Sequence, residues 1–108
     1  MVTAPIPFRL SRPAALRLVH EIAQDSSRVI LTTHAKRRMR ERRITLPQVI
    51  SCLLKGQLTE DPSMDAYGNW VCSLRWRHAG DYLRVAAAIK QDSNTGKKVV
   101  IITVMYED

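Results

Sequence analysis

The chain has 108 residues, 45% of them apolar, enough for one domain with an ordinary core. Its formal net charge is +7, and Lys36, Arg37, Arg38, Arg40, Arg42 and Arg43 crowd into eight positions against Glu41 alone. No run approaches the roughly eighteen apolar residues of a membrane span, and no charged-then-apolar leader opens the chain, so a cytoplasmic protein without membrane partners is expected.

Residues 1–10 ("MVTAPIPFRL") hold two prolines and no clean period, which predicts a flexible arm; residues 11–108 then form a single domain. Ser11 can cap a helix with Pro13 in its first turn, where a missing N–H costs nothing. Leu16, Val19 and Ala23 fall on one stripe of that helix with Ile22 beside it, and "QDSS" (Gln24 to Ser27) ends it. "RVIL" is short and β-rich, so a brief strand or extended lead-in follows. Thr32 or Thr33 caps the next helix, expected from about His34 to Arg42, with Ala35 and Met39 as its thin apolar stripe.

"ITLPQVISCLLKG" is the clearest element. Leu46, Val49, Ile50, Leu53 and Leu54 match a helical core stripe, Thr45 can cap and Gly56 ends the helix. From Gln57 the period changes to two. Gln57 to Asp61 reads as a short strand and "DAYGN" (Asp65 to Asn69) as a turn. In "WVCSLRWRH" the residues Trp70, Cys72, Leu74 and Trp76 share one face, while Ser73, Arg75 and Arg77 take the other. "HAGD" (His78 to Asp81) is a hairpin turn. "YLRVAAAIK" puts Leu83, Val85, Ala87 and Ile89 opposite Tyr82, Arg84, Ala86 and Ala88. "QDSNTGK" is a longer loop, and "KVVIITVMY" is apolar enough for an interior strand covered on both faces. Helices first and strands after predict an α+β domain, with N-terminal helices on one face of a three- to four-stranded antiparallel meander sheet.

The basic stretch carries a resemblance. "HAKRRMRERRI" fits a pattern H-A-x-x-R-M-x-x-R-x-I through His34, Ala35, Arg38, Met39, Arg42 and Ile44. This resembles an uncharacterised bacterial family, one of the numbered domains of unknown function. The ending "VIITVMY", with Thr103 and Tyr106, looks like that family's close, so the resemblance covers roughly residues 30 to 106. The family usually has glycine after the second motif arginine, where this chain has Arg43. Its element order is similar to that of small RelE/ParE-like toxins and related small RNases, a likeness of fold that does not fix function.

Charge and spacing then suggest chemistry. The hundred residues outside Lys36 to Arg43 carry only +2, so the local cluster dominates the field and an anionic partner is implied: RNA, DNA or an acidic protein segment. Arg38 lies four residues after His34 and Arg42 eight after it, all on one stripe. One imidazole followed by two fixed guanidiniums suits phosphodiester cleavage without metal, the imidazole taking a ribose 2′-hydroxyl proton and the arginines holding the phosphate. Tyr106 could add a phosphate-contacting hydroxyl or acid. Arg75 and Arg77, with Arg84 if the register allows, would line the open sheet face and bind nucleic acid, Tyr82 stacking on a base and Arg37 adding attraction. Trp70 and Trp76 read as packing residues.

No cofactor or metal is expected. The ten acidic residues are scattered, so a carboxylate cluster for Mg²⁺ is lacking, and neither a Gly-rich phosphate loop nor a zinc-spaced His/Cys set occurs. Cys52 and Cys72 read as reduced, packed thiols. Two functions follow: a metal-independent endoribonuclease, as the toxin of a toxin–antitoxin-like pair; or a non-catalytic basic module that binds nucleic acid or an acidic antitoxin-type protein, a ParE-like toxin included. A helix-turn-helix reader is set aside, because the helix after the basic one spends its residues on core.

Overall fold

The computed structural model describes residues 9–94 and 96–107, so most of the expected arm over residues 1–10 lies outside the described part. Ser11 caps the first helix, α1 (Arg12–Ala23), its Oγ accepting from the Ala14 amide at 3.2 Å. α1 buries Ala15, Val19, Ile22 and Ala23, while Leu16 is only half-buried. A short 3-10 turn over Ser26–Arg28 leads into the strand β1 (Val29–Leu31). Two further helices follow, α2 (Thr33–Arg42) and α3 (Leu46–Lys55), and then β2 (Gln57–Leu58), β3 (Ser63–Met64), β4 (Trp70–His78), β5 (Asp81–Asp92) and β6 (Gly96–Glu107).

The α+β class holds, but the sheet is six-stranded and mixed rather than a three- to four-stranded antiparallel meander. Its order is β1-β6-β5-β4-β2, with β3 also pairing β4. β4, β5 and β6 form the expected antiparallel core of it, and β1 runs parallel to β6, with Val29 opposite Val99 and Leu31 opposite Ile101. Strands of two or three residues carry almost no periodicity, and a parallel partner some seventy positions away leaves no local mark. β6 is interior in pairing, flanked by β1 and β5. Helices cover only one of its faces, and Met105 on the other is 39% exposed, which corrects the expectation of a strand buried on both sides.

The core lies between that face and the helices. Val19, Ile22, Val49, Cys52 and Leu53 pack against Leu74, Leu83, Val85, Ile89, Val99, Ile101 and Val104. The β4–β5 hairpin turns on Ala79 and Gly80, whose φ values of 51° and 85° suit the two-residue turn that matches strand twist. Gly56 ends α3 where a Cβ would stand 2.5 Å from the Cys52 carbonyl oxygen and 2.8 Å from that of Arg75, so no larger residue fits. Leu46, expected in the core stripe of α3, is the first residue of that helix and remains 41% exposed.

The junction of α2 and α3 explains most of the motif's apolar positions. Arg43 adopts the left-handed conformation at φ 56°, the Arg43 amide donates to the Arg40 carbonyl at 3.4 Å, and the Ile44 amide donates to the Met39 carbonyl at 2.9 Å. This is a Schellman ending, in which the residue after the left-handed one packs back on the helix; Ile44 is buried and Met39 half-buried. Thr45 and Gln48 then cap α3 reciprocally. A left-handed non-glycine residue costs about 1–2 kcal/mol. Arg43→Gly should therefore raise stability by about 0.5–1 kcal/mol in urea unfolding, once the extra freedom of unfolded glycine is subtracted. A loss of stability would show that the Arg43 side chain contributes more than its backbone strain removes.

Candidate nucleic-acid interface

The start of α2 is fixed by a single hydroxyl. Thr32 Oγ1 accepts from the Ala35 amide at 3.0 Å and donates to the Ile101 carbonyl at 2.8 Å, while the Thr32 amide also donates to Ile101 at 3.3 Å. The cap is therefore Thr32, and Ala35, fully buried, seats the helix against β6. His34 is the second residue of α2 and exposed; Arg38 is half-buried and Arg42 exposed. Each four-residue step turns the helix by about 40° and climbs about 6 Å, so the three form a gently winding stripe. Arg38 Nη1 lies 3.1 Å from Glu41 Oε2, and Arg37 Nε lies 4.0 Å from Glu41 Oε1. Exposed pairs of this kind yield readily to a phosphate.

The groove beside α2 belongs to its other flank. A hollow of about 290 Å³ is lined by Lys36 and Arg40 with Leu31, Met39, Ile44, Thr45 and Leu46. Neither His34, Arg38 nor Arg42 lines it. Tyr106 packs on the helix side of the sheet and its hydroxyl accepts from Gln48 Nε2 at 3.2 Å. Gln48 stands in the first turn of α3, just past the end of α2, so Tyr106 sits toward the Arg42 end. His34 is about 12 Å of helix rise away from that end.

The strand arginines meet one another as the open-face reading requires, because Arg75 is directly opposite Arg84 and Arg77 opposite Tyr82. They are engaged internally, however. Glu107 accepts from Arg75 Nε at 2.8 Å and Arg84 Nη1 at 3.3 Å, and Arg84 Nη2 donates to Thr59 Oγ1 at 3.3 Å. The Arg75 guanidinium lies 3.7 Å from the Tyr82 ring centre, covering one face of the ring expected to stack on a base. Arg77, exposed, keeps a looser distance of 5.7 Å from that ring.

At the β4 edge Arg75, Arg77 and Tyr82 border a cleft of about 480 Å³, lined also by Lys55, Gln57, Leu58, Thr59 and Trp76. Trp76 is half-buried and stacks on His78 at 4.8 Å, with Lys55 Nζ 5.9 Å from its ring. Sequence patterning treated Trp76 as a pure packing residue. It opens to the cleft because β2 begins only at Gln57, opposite Arg75, so the end of β4 from Trp76 onward has no β2 residue beside it. Lys55, as the last residue of α3, carried no signal beyond its position.

Among the described residues no three His, Cys, Asp or Glu side chains gather closely enough to hold a metal ion. Cys52 and Cys72 are free thiols in the core, and burial pushes them up to about 12 and about 11 from an ordinary 9.0. Such thiols are poor nucleophiles. Above pH 9 an unfolded chain sheds thiol protons that the native chain keeps, so stability falls as pH rises. A Cys52→Ala, Cys72→Ala double variant should lose less stability than the parent between about pH 8 and about pH 10 in urea unfolding. Equal losses would mean that the thiols do not govern this response.

The fold and charge define a small basic α+β domain with two cationic surfaces, one on α2 and one at the β4 edge. The chain belongs to the family described as a domain of unknown function, DUF4258, which matches residues 31–106 and so takes in the His34–Ile44 motif and Tyr106. No curated protein and no solved structure matches the chain.

Proposed function

We propose that this chain is a metal-independent endoribonuclease, binding RNA along α2 and acting as the toxin half of a toxin–antitoxin-like pair. The observation that carries the reading is an exposed imidazole in the first turn of α2, followed at one-turn intervals by Arg38 and Arg42, on a helix with a single acidic residue. In the reaction, His34 takes the proton of a ribose 2′-hydroxyl and the 2′-oxygen bonds to phosphorus. The bond to the 5′-oxygen then breaks, water supplying that oxygen's proton and a cyclic phosphate remaining. Arg38, about 6 Å along the helix, holds the non-bridging oxygens as their charge builds. Arg42 and Tyr106, farther along, contact the neighbouring nucleotide. Arg37, Arg75, Arg77 and Arg84 extend the attraction for the strand. The toxin assignment leans on the RelE/ParE-like order of helices and strands, which is a likeness of fold.

A second reading has its own support. Arg38 is paired with Glu41 and the stripe stands off the groove that Lys36 and Arg40 line, which suits a surface that docks on a polyanion or an acidic protein without cutting anything. The two separate in one assay. Mixed RNA incubated with the purified chain in a chelator should give fragments ending in cyclic phosphate. His34→Ala should lower the rate by at least about 10²-fold, Arg38→Gln by a similar factor, and Arg40→Gln by little. Salt-sensitive RNA binding without any cleavage would move the function to the docking reading.

A further inference from the structure

The helices occupy one face of the sheet, and among the described residues no element lies over the other. The register lays that open face out in rows. Val71, Ala88, Val100 and Ile30 form one row across four strands, and Ser73, Ala86 and Thr103 form a shorter row beside it. Ile30 and Met105 are 42% and 39% exposed there. One end is cationic: Arg75 and Arg84, then Arg77, stand there against Glu107. At the other end Lys90 and Lys98 are paired, with Asp65 in the field of Lys90 and Asp92 two residues beyond it on the same face. Alanines at the middle of β5 leave a hollow of about 150 Å³ between Ser73, Arg84, Ala86, Thr103 and Met105. The Arg84 Nε is buried without a hydrogen-bond partner among the described residues.

We infer that this face docks an acidic amphipathic helix from a partner protein, seated along the β5 trough with carboxylates at its arginine end. The row of Val71, Ala88, Val100 and Ile30 calls for an apolar surface, and a helix is the natural second layer on a sheet face. From Arg84 to Lys90 is about 20 Å along the strand, the length of about thirteen helical residues. Three arginines against Glu107 select negative charge at that end of the helix. A second copy of this chain stacked in register would bring arginines against arginines. Nucleic acid would find its phosphates over Val71, Ala88 and Val100 once past the arginines and the Ser73–Thr103 row. One apolar side chain fills the hollow, and an acceptor beside it satisfies Arg84 Nε. This surface is separate from the α2 stripe, shares with the RNA path only the strand arginines Arg75, Arg77 and Arg84, and stands whether or not the chain cuts RNA.

The test uses the full chain carrying a photoreactive benzoylphenylalanine at Thr103, or at the exposed Arg17 of α1 as control, made in the cells that express it naturally. The expected result is a crosslink specific to Thr103, to one protein segment with an apolar stripe and Asp or Glu clustered at one end. The synthetic peptide of that segment should bind the purified chain, weaken as salt rises, and lose about tenfold in affinity with Thr103→Glu. Ser73→Glu replaces that variant if it fails to fold. A Thr103 crosslink to RNA, to a second copy, or to nothing beyond what the Arg17 position captures would overturn the proposal, as would a peptide whose binding ignores both substitutions.

Discussion

One hydroxyl sets the geometry on which everything else depends. Thr32 Oγ1 closes the N-terminus of α2 and, with the Thr32 amide, ties it to the Ile101 carbonyl of β6. β1 ends one residue earlier, beside Ile101, so the basic helix starts where the parallel strand stops. A helix with only Ala35 and Met39 facing the core has little apolar area to hold it. Its placement therefore leans on the two fixed ends: Thr32 at the start and the Schellman turn with buried Ile44 at the finish. Between them the chain can carry cations on every remaining side.

That economy divides the motif's six positions. Ala35, Met39 and Ile44 seat and end the helix; His34, Arg38 and Arg42 are absent from the lining of the groove that holds Lys36 and Arg40, His34 and Arg42 being exposed and Arg38 half-buried beside Glu41. The strand arginines differ. Arg75 and Arg84 share Glu107, and Arg75 lies on Tyr82, so part of their role is to tie together the ends of β4, β5 and β6. Arg77 and Lys55 are the cations at that end most open to a ligand.

Local chemistry was readable in the sequence and long-range pairing was not. Ser11 and Thr45 acted as the caps their types predict, because capping depends on a few neighbouring backbone groups; Gly56 ends α3 as expected, but extended and pressed by the Arg75 carbonyl of β4. The left-handed conformation of Arg43 was not legible, because an arginine gives no local sign of a positive φ. The parallel β1–β6 pair was invisible, since three residues carry no period and the partner is remote. Trp76 looked like core because alternation assigns a face without saying where the next strand ends. The stripe of His34, Arg38 and Arg42 was legible from spacing, whereas the groove on the opposite flank needed the placement of α3. Tyr106 was singled out as a phosphate-contacting hydroxyl or acid; its Gln48 partner at the start of α3 came from tertiary packing and left no local mark.

The central claim is that α2, rather than dispersed positive charge, holds the polyanion. The most direct measurement is the affinity for a short single-stranded RNA as a function of salt, for the parent chain and for an Arg38→Gln, Arg42→Gln double variant. Each phosphate contact contributes about 0.7 to the slope of log affinity against log salt for single strands. Losing two contacts should flatten the slope by about 1.4 while the fold is unchanged. An unaltered slope in that variant, with a flattened one in Arg77→Gln, would place the binding surface at the β4 edge and contradict the role given to α2.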